Sequence, residues 1–541
     1  MSEGRYRYLA ALPRGEGKVF LSWRLLADDS PKAAFGVERS PAGSGNWTRV
    51  SGAPIADSTN LVDVTPRPGR YEYRAIDADG TRSETVAVDS AAPAGIASLD
   101  VPLPEDHNVQ GLALGDLCND RRMGYVLRTV KGKTIWLLAY SHAGKPLWRI
   151  DTHMPAVGEW DGSTLHVPML CWDVNADGRT EVVFRMDKEF SGAEKHTGAG
   201  QAETLTAVDG QTGDVVWQCP WPGTRGRVMA TVGHLKGRDR NAQVVVQDET
   251  YGDLVLTAVD GLAGATMWRA EQPRPGGHNL DIGDIDGDGV QEVICGGVCY
   301  NGDGTVRWQA EPFGHTDISK PARIDPSRDG LQIWYAVESD NPGVYLVDNK
   351  GRTIFKEAFR HAHYGWVARH TAAAPGLQPH TAEDARQEYG AAKAGAREDG
   401  HFPIFLPDGR HWLNLTDWQR KNFVPVHWDA GPEVAFAIRK ENKRVVRLFP
   451  DGRIEDLPDG KLPEGGRYGR NLAAVDVIGD FRENIVTIDE DRNSLVVLTN
   501  PTACNVRGCS PCEDFEYRHD RSQLASGYYI YLSPPDTAVN R

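Results

Sequence analysis

Cysteine is scarce, with eight residues in a chain of 541. That density excludes a disulfide-built scaffold. No run approaches the roughly 18 consecutive apolar residues of a membrane-spanning helix. The opening segment from Met1 to Tyr8 has no apolar leader core, which predicts a cytoplasmic protein if the chain is complete and a secreted one if a leader has been trimmed. Positive charge is in deficit: 60 Lys plus Arg against 75 Asp plus Glu give a formal net charge of −15. A nucleic-acid binder or a protein held on an anionic membrane needs a basic face, so neither is expected. Hydrophobic residues at 40% and charged residues at 25% suffice for an ordinary folded core.

What the sequence does contain is short alternating segments broken by turns. Val19 to Leu26, Ala34 to Arg39, Asn60 to Val64 and Arg70 to Ile76 read as strands with Gly, Pro, Asp and Ser between them. They predict a small N-terminal β-sandwich of fibronectin III type over residues 1–90, followed by a small-residue linker at Ser90–Gly95.

Beyond residue 101 the dominant feature is repetition. One recurring pattern is a strand ending in Asp, a Gly turn, and a strand carrying an aromatic residue. It is clearest at Leu205–Trp217 and Leu256–Trp268; Trp148, Trp308, Phe355, Trp412 and Ile454 take the equivalent place after Gly144, Gly304, Gly351, Gly409 and Gly452. A second pattern, a polar cluster followed by an apolar strand and an acidic turn, recurs at roughly 40 to 60 residues, the length of a four-stranded propeller blade with variable loops. Its copies centre on Asp116, Asp173, His234, Asp284, Asp325, His370, Asp429 and Asp476. The expected fold is therefore all-β, an eight-bladed β-propeller over residues 101–535 behind the N-terminal domain. Residues 373–398, rich in Ala, Gly, His and charge, read as an insertion in the sixth unit, a loop or short helix.

Two of the acidic turns carry metal-ligand spacing. Asp284, Asp286, Asp288 and Glu292, with Gly289 at the bend, place carboxylates at alternate positions. Asp173, Asn175, Asp177 and Glu181 repeat the arrangement with one amide. Hard oxygen ligands at this density suit Ca²⁺, which neutralises mutual repulsion and pins a strand-to-strand turn. Such ions are expected to stabilise the fold rather than to act on a substrate.

Each turn follows the first strand of its unit, so residues at that strand's start are delivered to the opposite mouth of a central channel. Those residues are polar: His107, Asn108, His166, Arg227, His278, Asn279, His315, Asp317, Tyr364, Asn422, Tyr468, Arg470 and Asn471. Convergence of His, Arg, Asn and Tyr from several units marks the candidate site.

This organisation resembles the rhamnogalacturonan lyases of polysaccharide lyase family 11. The resemblance is carried by Val19–Leu26, Leu147–Asp151, Gly277–Gly289, Gly314–Asp317 with Asp325, and Gly479–Glu483, in order along the chain. It implies an eight-bladed propeller with bound Ca²⁺, and β-elimination on a rhamnose-uronate glycan, an acidic plant cell-wall oligo- or polysaccharide, by a monomer. A cation, Ca²⁺ or an Arg, would bind the uronate carboxylate and stabilise the enolate-like transition state. Arg227 or Arg470 fits that task. His278, His315 or His166 would serve as base or acid, since imidazole titrates near neutrality. Asn279, Asp317, Tyr364, Tyr468 and Asn471 would hold the sugar. The absence of a leader suggests exo action on imported oligosaccharides, and an enzyme on another rhamnose-uronate linkage fits as well.

Other readings stand beside this one. A non-catalytic carbohydrate- or protein-binding propeller has the same architecture. The Ala207–Trp217 segment also resembles the repeat of pyrroloquinoline-quinone dehydrogenases, but no adjacent cysteine pair is present. Cys504, Cys509 and Cys512 read as a disulfide-bonded or exposed loop rather than a zinc site completed by His519. His361, His363, His370, His380 and His401 read as scattered loop residues or as a second metal site.

Overall fold

The structure is a computed structural model. It describes residues 6–26, 28–156, 167–187, 203–223, 228–248, 252–311, 314–383, 401–416, 423–438, 443–463, 472–478 and 481–525. The chain is built almost wholly of antiparallel strands. The N-terminal strands form two sheets. Ala10–Pro13, Lys18–Ser22 and Asn60–Val64 make one, and Thr48–Arg49, Gly36–Pro41, Arg70–Ile76 and Val86–Asp89 the other. Val19, Leu21, Trp23, Phe35, Val37 and Tyr73 fill the space between them. Ser90, at the start of the expected linker, is buried and its hydroxyl bonds the Gly69 carbonyl at 3.0 Å, so this end of the segment is tied down.

Eight four-stranded sheets follow among the described residues, seven of them simple meanders of consecutive strands. The eighth takes Leu472–Val475, Asn484–Asp489 and Ser494–Leu498 and is completed by Ala97–Pro102, the strand that precedes all the others. The second strands read as unbroken apolar runs; Gln243–Gln247 is buried at every position. Neighbouring sheets cover both of their faces, so alternation gives way to continuous hydrophobicity. The fourth strands, such as Thr266–Pro275, keep exposed positions interleaved with partly covered ones.

Adjacent sheets are joined by a repeated device. The Trp148 indole donates to the Gly210 carbonyl at 2.8 Å, Trp217 to Gly261 at 2.7 Å, Trp268 to Gly302 at 3.0 Å and Trp308 to Asn349 at 3.0 Å. In each case a fourth strand reaches the last turn of the following sheet. Gly213 sits against Trp148 with φ +75°, and a Cβ there would lie 2.8 Å from the ring, so this turn needs glycine twice over. Phe355 meets Gly409 in the same way. In the sixth sheet it is Leu415, not Trp412, that approaches the next turn glycine, Gly452. Trp412 stacks instead on His370. Val101 of the eighth sheet meets Gly144 of the first, and those two sheets share the core of Leu112, Leu114, Tyr125, Val475, Val486 and Val497.

The first strands are capped by a second device that the sequence reading caught in only two copies. The first residue of the second strand turns its side chain back to accept a backbone N–H from the turn. Glu181 accepts from Val174, Gln243 from Leu235, Glu292 from Ile285, Gln332 from Asp325, Gln378 from Thr371 and Asn484 from Val477, at 2.7–3.0 Å.

One expectation needs correction. Residues 373–398 are not wholly an insertion, because Gln378–Glu383 is the second strand of the sixth sheet; residues 384–400 lie outside the described residues. The segment after the last strand packs on the sheets. It forms a helix, α1 (Phe515–Arg521), whose Tyr517, His519 and Arg521 are buried. Cys171 of the second sheet donates its N–H to the Ser522 carbonyl just beyond this helix. Tyr517 and Arg521 bond Glu483 of the eighth sheet, His519 bonds Val232 of the third, and Asp520 bonds Lys320 of the fifth. One short segment thus reaches strands from four sheets.

Candidate active site

Of the described strand-start residues, those of the fourth and fifth sheets come together, while His107 stays in the first sheet, bonded to Thr129 at 2.7 Å. Gly277 bridges to Thr316, the His278 N–H donates to the Thr316 carbonyl at 2.9 Å, and the Glu338 N–H donates to the His315 carbonyl at 3.0 Å. These backbone bonds fix where the side chains emerge. His278 and His315 lie edge to face with ring centroids 4.4 Å apart. His278 Nε2 is 3.7 Å from Asp317 Oδ1. Ligand-type atoms of His278, His315, Asp317 and Glu338 all lie within 4.8 Å of one another, and the four residues are buried. His361, fully buried, places Nε2 3.5 Å from Glu338 Oε2.

Two imidazoles and two carboxylates at this separation form a donor set able to hold a divalent ion. Sequence reading had named His278, His315 and Asp317 but missed Glu338. It lies just past the strand Gln332–Val337, outside the strand-start rule, and only the tertiary arrangement brings it in.

Asn279 has a different place. Its amide donates to the Ser319 carbonyl at 2.9 Å and accepts the Ser319 N–H at 2.8 Å, so it staples the fourth sheet to the fifth. Tyr364 lies on the strand Ala362–Ala368, and nothing is described of its side chain. His166, Arg227, Tyr468, Arg470 and Asn471 lie outside the described residues, as does Asn422.

The two acidic turns sit at the far ends of the first strands. In the first, the Asp173 carboxylate accepts the Gly178 N–H at 2.9 Å and the Asn175 amide donates to Asp177 and Glu181, each at 3.2 Å. Burial, reinforced by Asp177 and Asp173, pushes the Glu181 carboxyl up to about 8. In the second, Asp284 accepts the Gly287, Asp288 and Gly289 amides. Burial raises Glu292 to about 7, although Arg307 bonds it at 2.9 Å and also pairs with Asp286. Ligand atoms of Asp284, Asp286 and Glu292 come within 4.8 Å of one another; Asp288 is outside that group.

Among the described residues the second histidine metal site is not formed; nothing is described of the His363 side chain. His370 and His380 lie in an aromatic box, His370 stacked on Phe436 at 5.1 Å and His380 on Trp366 at 4.4 Å, and burial drives both imidazoles to the neutral form. His361 turns to Glu338, and His401 faces Asn414 at 3.4 Å. The cysteines are also resolved: all eight are free thiols. Cys512 is buried and bonds the Asp476 carbonyl, while His519 is committed to Val232, so neither a disulfide nor a zinc site forms.

An all-β chain of this kind, with a four-donor cluster at one end of its sheets, has similar sequences among known proteins. Residues 262–374 match the family description "Rhamnogalacturonan lyase family 11, C-terminal domain", and residues 3–90 match "Rhamnogalacturonan I lyases beta-sheet domain". The first match contains all four cluster residues. The chain is 23% identical to Rhamnogalacturonan endolyase YesW of Bacillus subtilis (strain 168), over 99% of this chain and 92% of that protein. It is 25% identical to Rhamnogalacturonan exolyase YesX of the same organism, over 98% and 94%. The crystal structure of the exotype rhamnogalacturonan lyase YesX superposes with a TM-score of 0.78 at 21% identity, covering 98% of this chain and 95% of that one. The chain is thus a relative of the family 11 rhamnogalacturonan lyases, as its motifs indicated. Among the described residues no helix is long and apolar enough to cross a membrane.

Proposed function

We propose that the protein is a polysaccharide lyase that cleaves rhamnogalacturonan-type rhamnose-uronate bonds by β-elimination, with a divalent cation held by His278, His315, Asp317 and Glu338. The observation that carries the reading is this buried cluster, lying within the segment matched to the lyase family. The architecture favoured is an eight-bladed propeller behind a fibronectin-like sandwich. Its support is the cyclic succession of contacts, in which the eighth sheet packs on the first.

A cation so held supplies Lewis acidity to the uronate carboxylate and so acidifies the C5 proton. The chain's own part is to hold four donors in fixed positions and to keep water from them. A ring nitrogen whose lone pair ligates an ion cannot also accept a proton, so His278 and His315 act as ligands rather than as the base. Asp317 becomes a ligand too, not a sugar contact, and Asn279 a positioning residue. The base is assigned to His166 and the transition-state guanidinium to Arg470 or Arg227, as the strand-start pattern suggested. Two imidazoles among four donors favour a softer ion than the all-oxygen turns do, so Ca²⁺ is proposed for the turn at Asp173 and either Ca²⁺ or Mn²⁺ for the cluster.

The relatives include an endolyase and an exolyase; exo action on oligosaccharides and a monomeric state are proposed here. The test is incubation with rhamnogalacturonan while following the ultraviolet absorbance of the unsaturated uronate. Absorbance should rise with divalent ions and vanish with chelator or with Glu338→Gln. A chain that binds the glycan without any rise is a binding propeller instead.

A further inference from the structure

At the ends of the first strands opposite to the metal cluster lies a cavity of about 510 Å³, within the range of small-molecule sites. Gly115, Trp172 and His234 mark its level, each at or just beyond the end of a first strand, whereas His278 and His315 stand before the starts of theirs. Its wall carries six arginines against three carboxylates, in a protein whose net charge is −15. Such a local reversal of sign has to be built.

Two of these arginines make no ion pair among the described residues, and a third keeps an unpartnered Nε. Arg24 is 2% exposed, pairs with Glu513 at 3.7 Å and Asp476 at 3.9 Å, and lies 3.6 Å over the Tyr8 ring, yet its Nε has no hydrogen-bond partner among the described residues. A buried guanidinium with an unsatisfied donor is costly, and the cavity is the direction from which an acceptor can arrive. Arg121 is exposed on the turn after the first strand and makes no ion pair among the described residues. Arg518 donates to the Cys512 carbonyl at 2.7 Å and likewise has no carboxylate partner among the described residues. The opposing Asp116 carboxylate accepts two N–H groups of its own turn at 2.7 and 2.9 Å, and Asp173 accepts one at 2.9 Å through Oδ2. Arg179, Arg238 and Arg240 are paired with Asp209, Glu516 and Asp239.

We propose that this cavity is a second, non-catalytic site that binds the carboxylates of a short uronate oligosaccharide through Arg24, Arg121 and Arg518. A planar guanidinium recognises a carboxylate or a phosphate with two parallel hydrogen bonds, so oxyanion recognition is the shared chemistry. Choice of the uronate rests on the lyase reading of the other end. The site would hold part of an acidic chain, or a released product, away from the reacting bond.

Calorimetric titration of the full chain with trigalacturonate tests this. An Asp317→Asn background silences the cluster. In it, trigalacturonate should still bind, and Arg121→Ala or Arg518→Ala should each weaken binding by about tenfold or more, the loss of one charged contact. Arg121 is on an exposed turn, so its variant tests the site even if Arg518→Ala misfolds. Absence of binding in the Asp317→Asn background, or binding indifferent to both arginine variants, overturns the proposal. Inorganic phosphate competing more tightly than trigalacturonate overturns the uronate assignment. The readout is binding, so a chain without lyase activity that still binds through these arginines upholds the site while refuting the lyase reading.

Discussion

The Glu181 carboxylate accepts the Val174 N–H at 2.9 Å, and in sister turns the same bond is made by the neutral amides of Gln243, Gln332, Gln378 and Asn484. The hydrogen bond therefore does not need a charge. A carboxylate at two of these positions adds something beyond the turn, which an ion bound there would use.

Without metal, Glu181 has its carboxyl raised from 4.5 to about 8 by burial. A raised folded-state value means that its contribution to stability is complete below about pH 4.5 and is lost as pH climbs through 8. Chelated protein should therefore show a melting temperature that falls between pH 5 and pH 8, and Ca²⁺ should remove the fall. Glu181→Gln should show a smaller fall and a smaller Ca²⁺ effect, keeping the share that Glu292 contributes. Thermal melts at the two pH values with and without chelator check this.

Replacing His361 should weaken metal affinity more than it slows the saturated enzyme. Its imidazole stands 3.5 Å from Glu338, beside the donors rather than among the four. Loss of such an orienting partner typically costs 10- to 100-fold in affinity. His361→Ala should lower metal affinity by about that factor, with turnover recovering at high metal. Metal titration against activity separates the two effects.

Lys320 is buried and bonds Asp520 of α1 at 3.0 Å and Asp281 of the fourth sheet at 3.5 Å. Even with this neighbour, burial lifts Asp281 to about 6. Lys320→Met strands two carboxylates and should cost about 3–5 kcal/mol. The double variant Lys320→Met with Asp520→Asn should be the less destabilised of the two. Denaturant unfolding of both chains measures the difference.

Trp217→Ala removes a nearly buried indole and its bond to Gly261, which should cost about 3–5 kcal/mol. Gly264→Ala should also destabilise, since φ is +69° and the new Cβ would lie 2.8 Å from that ring. Melting temperatures of the two variants and of the double variant show whether they act through one contact.

Periodicity and turn chemistry are local, so the sequence by itself determined that the chain is all-β, where most strands fall, and that acidic turns follow the first strands. The Asp-Gly turns before Trp217 and Trp268 were legible as turns between strands. It also determined that His278, His315 and Asp317 lie at strand starts. Tertiary structure alone decided that Glu338 joins them, that Asn279 staples two sheets, and that α1 reaches four sheets instead of trailing away. It also assembled arginines from positions as distant as Arg24 and Arg518 around one cavity. Those relations join residues far apart in the chain, and what fixes them is the packing of sheet on sheet, which no local pattern encodes.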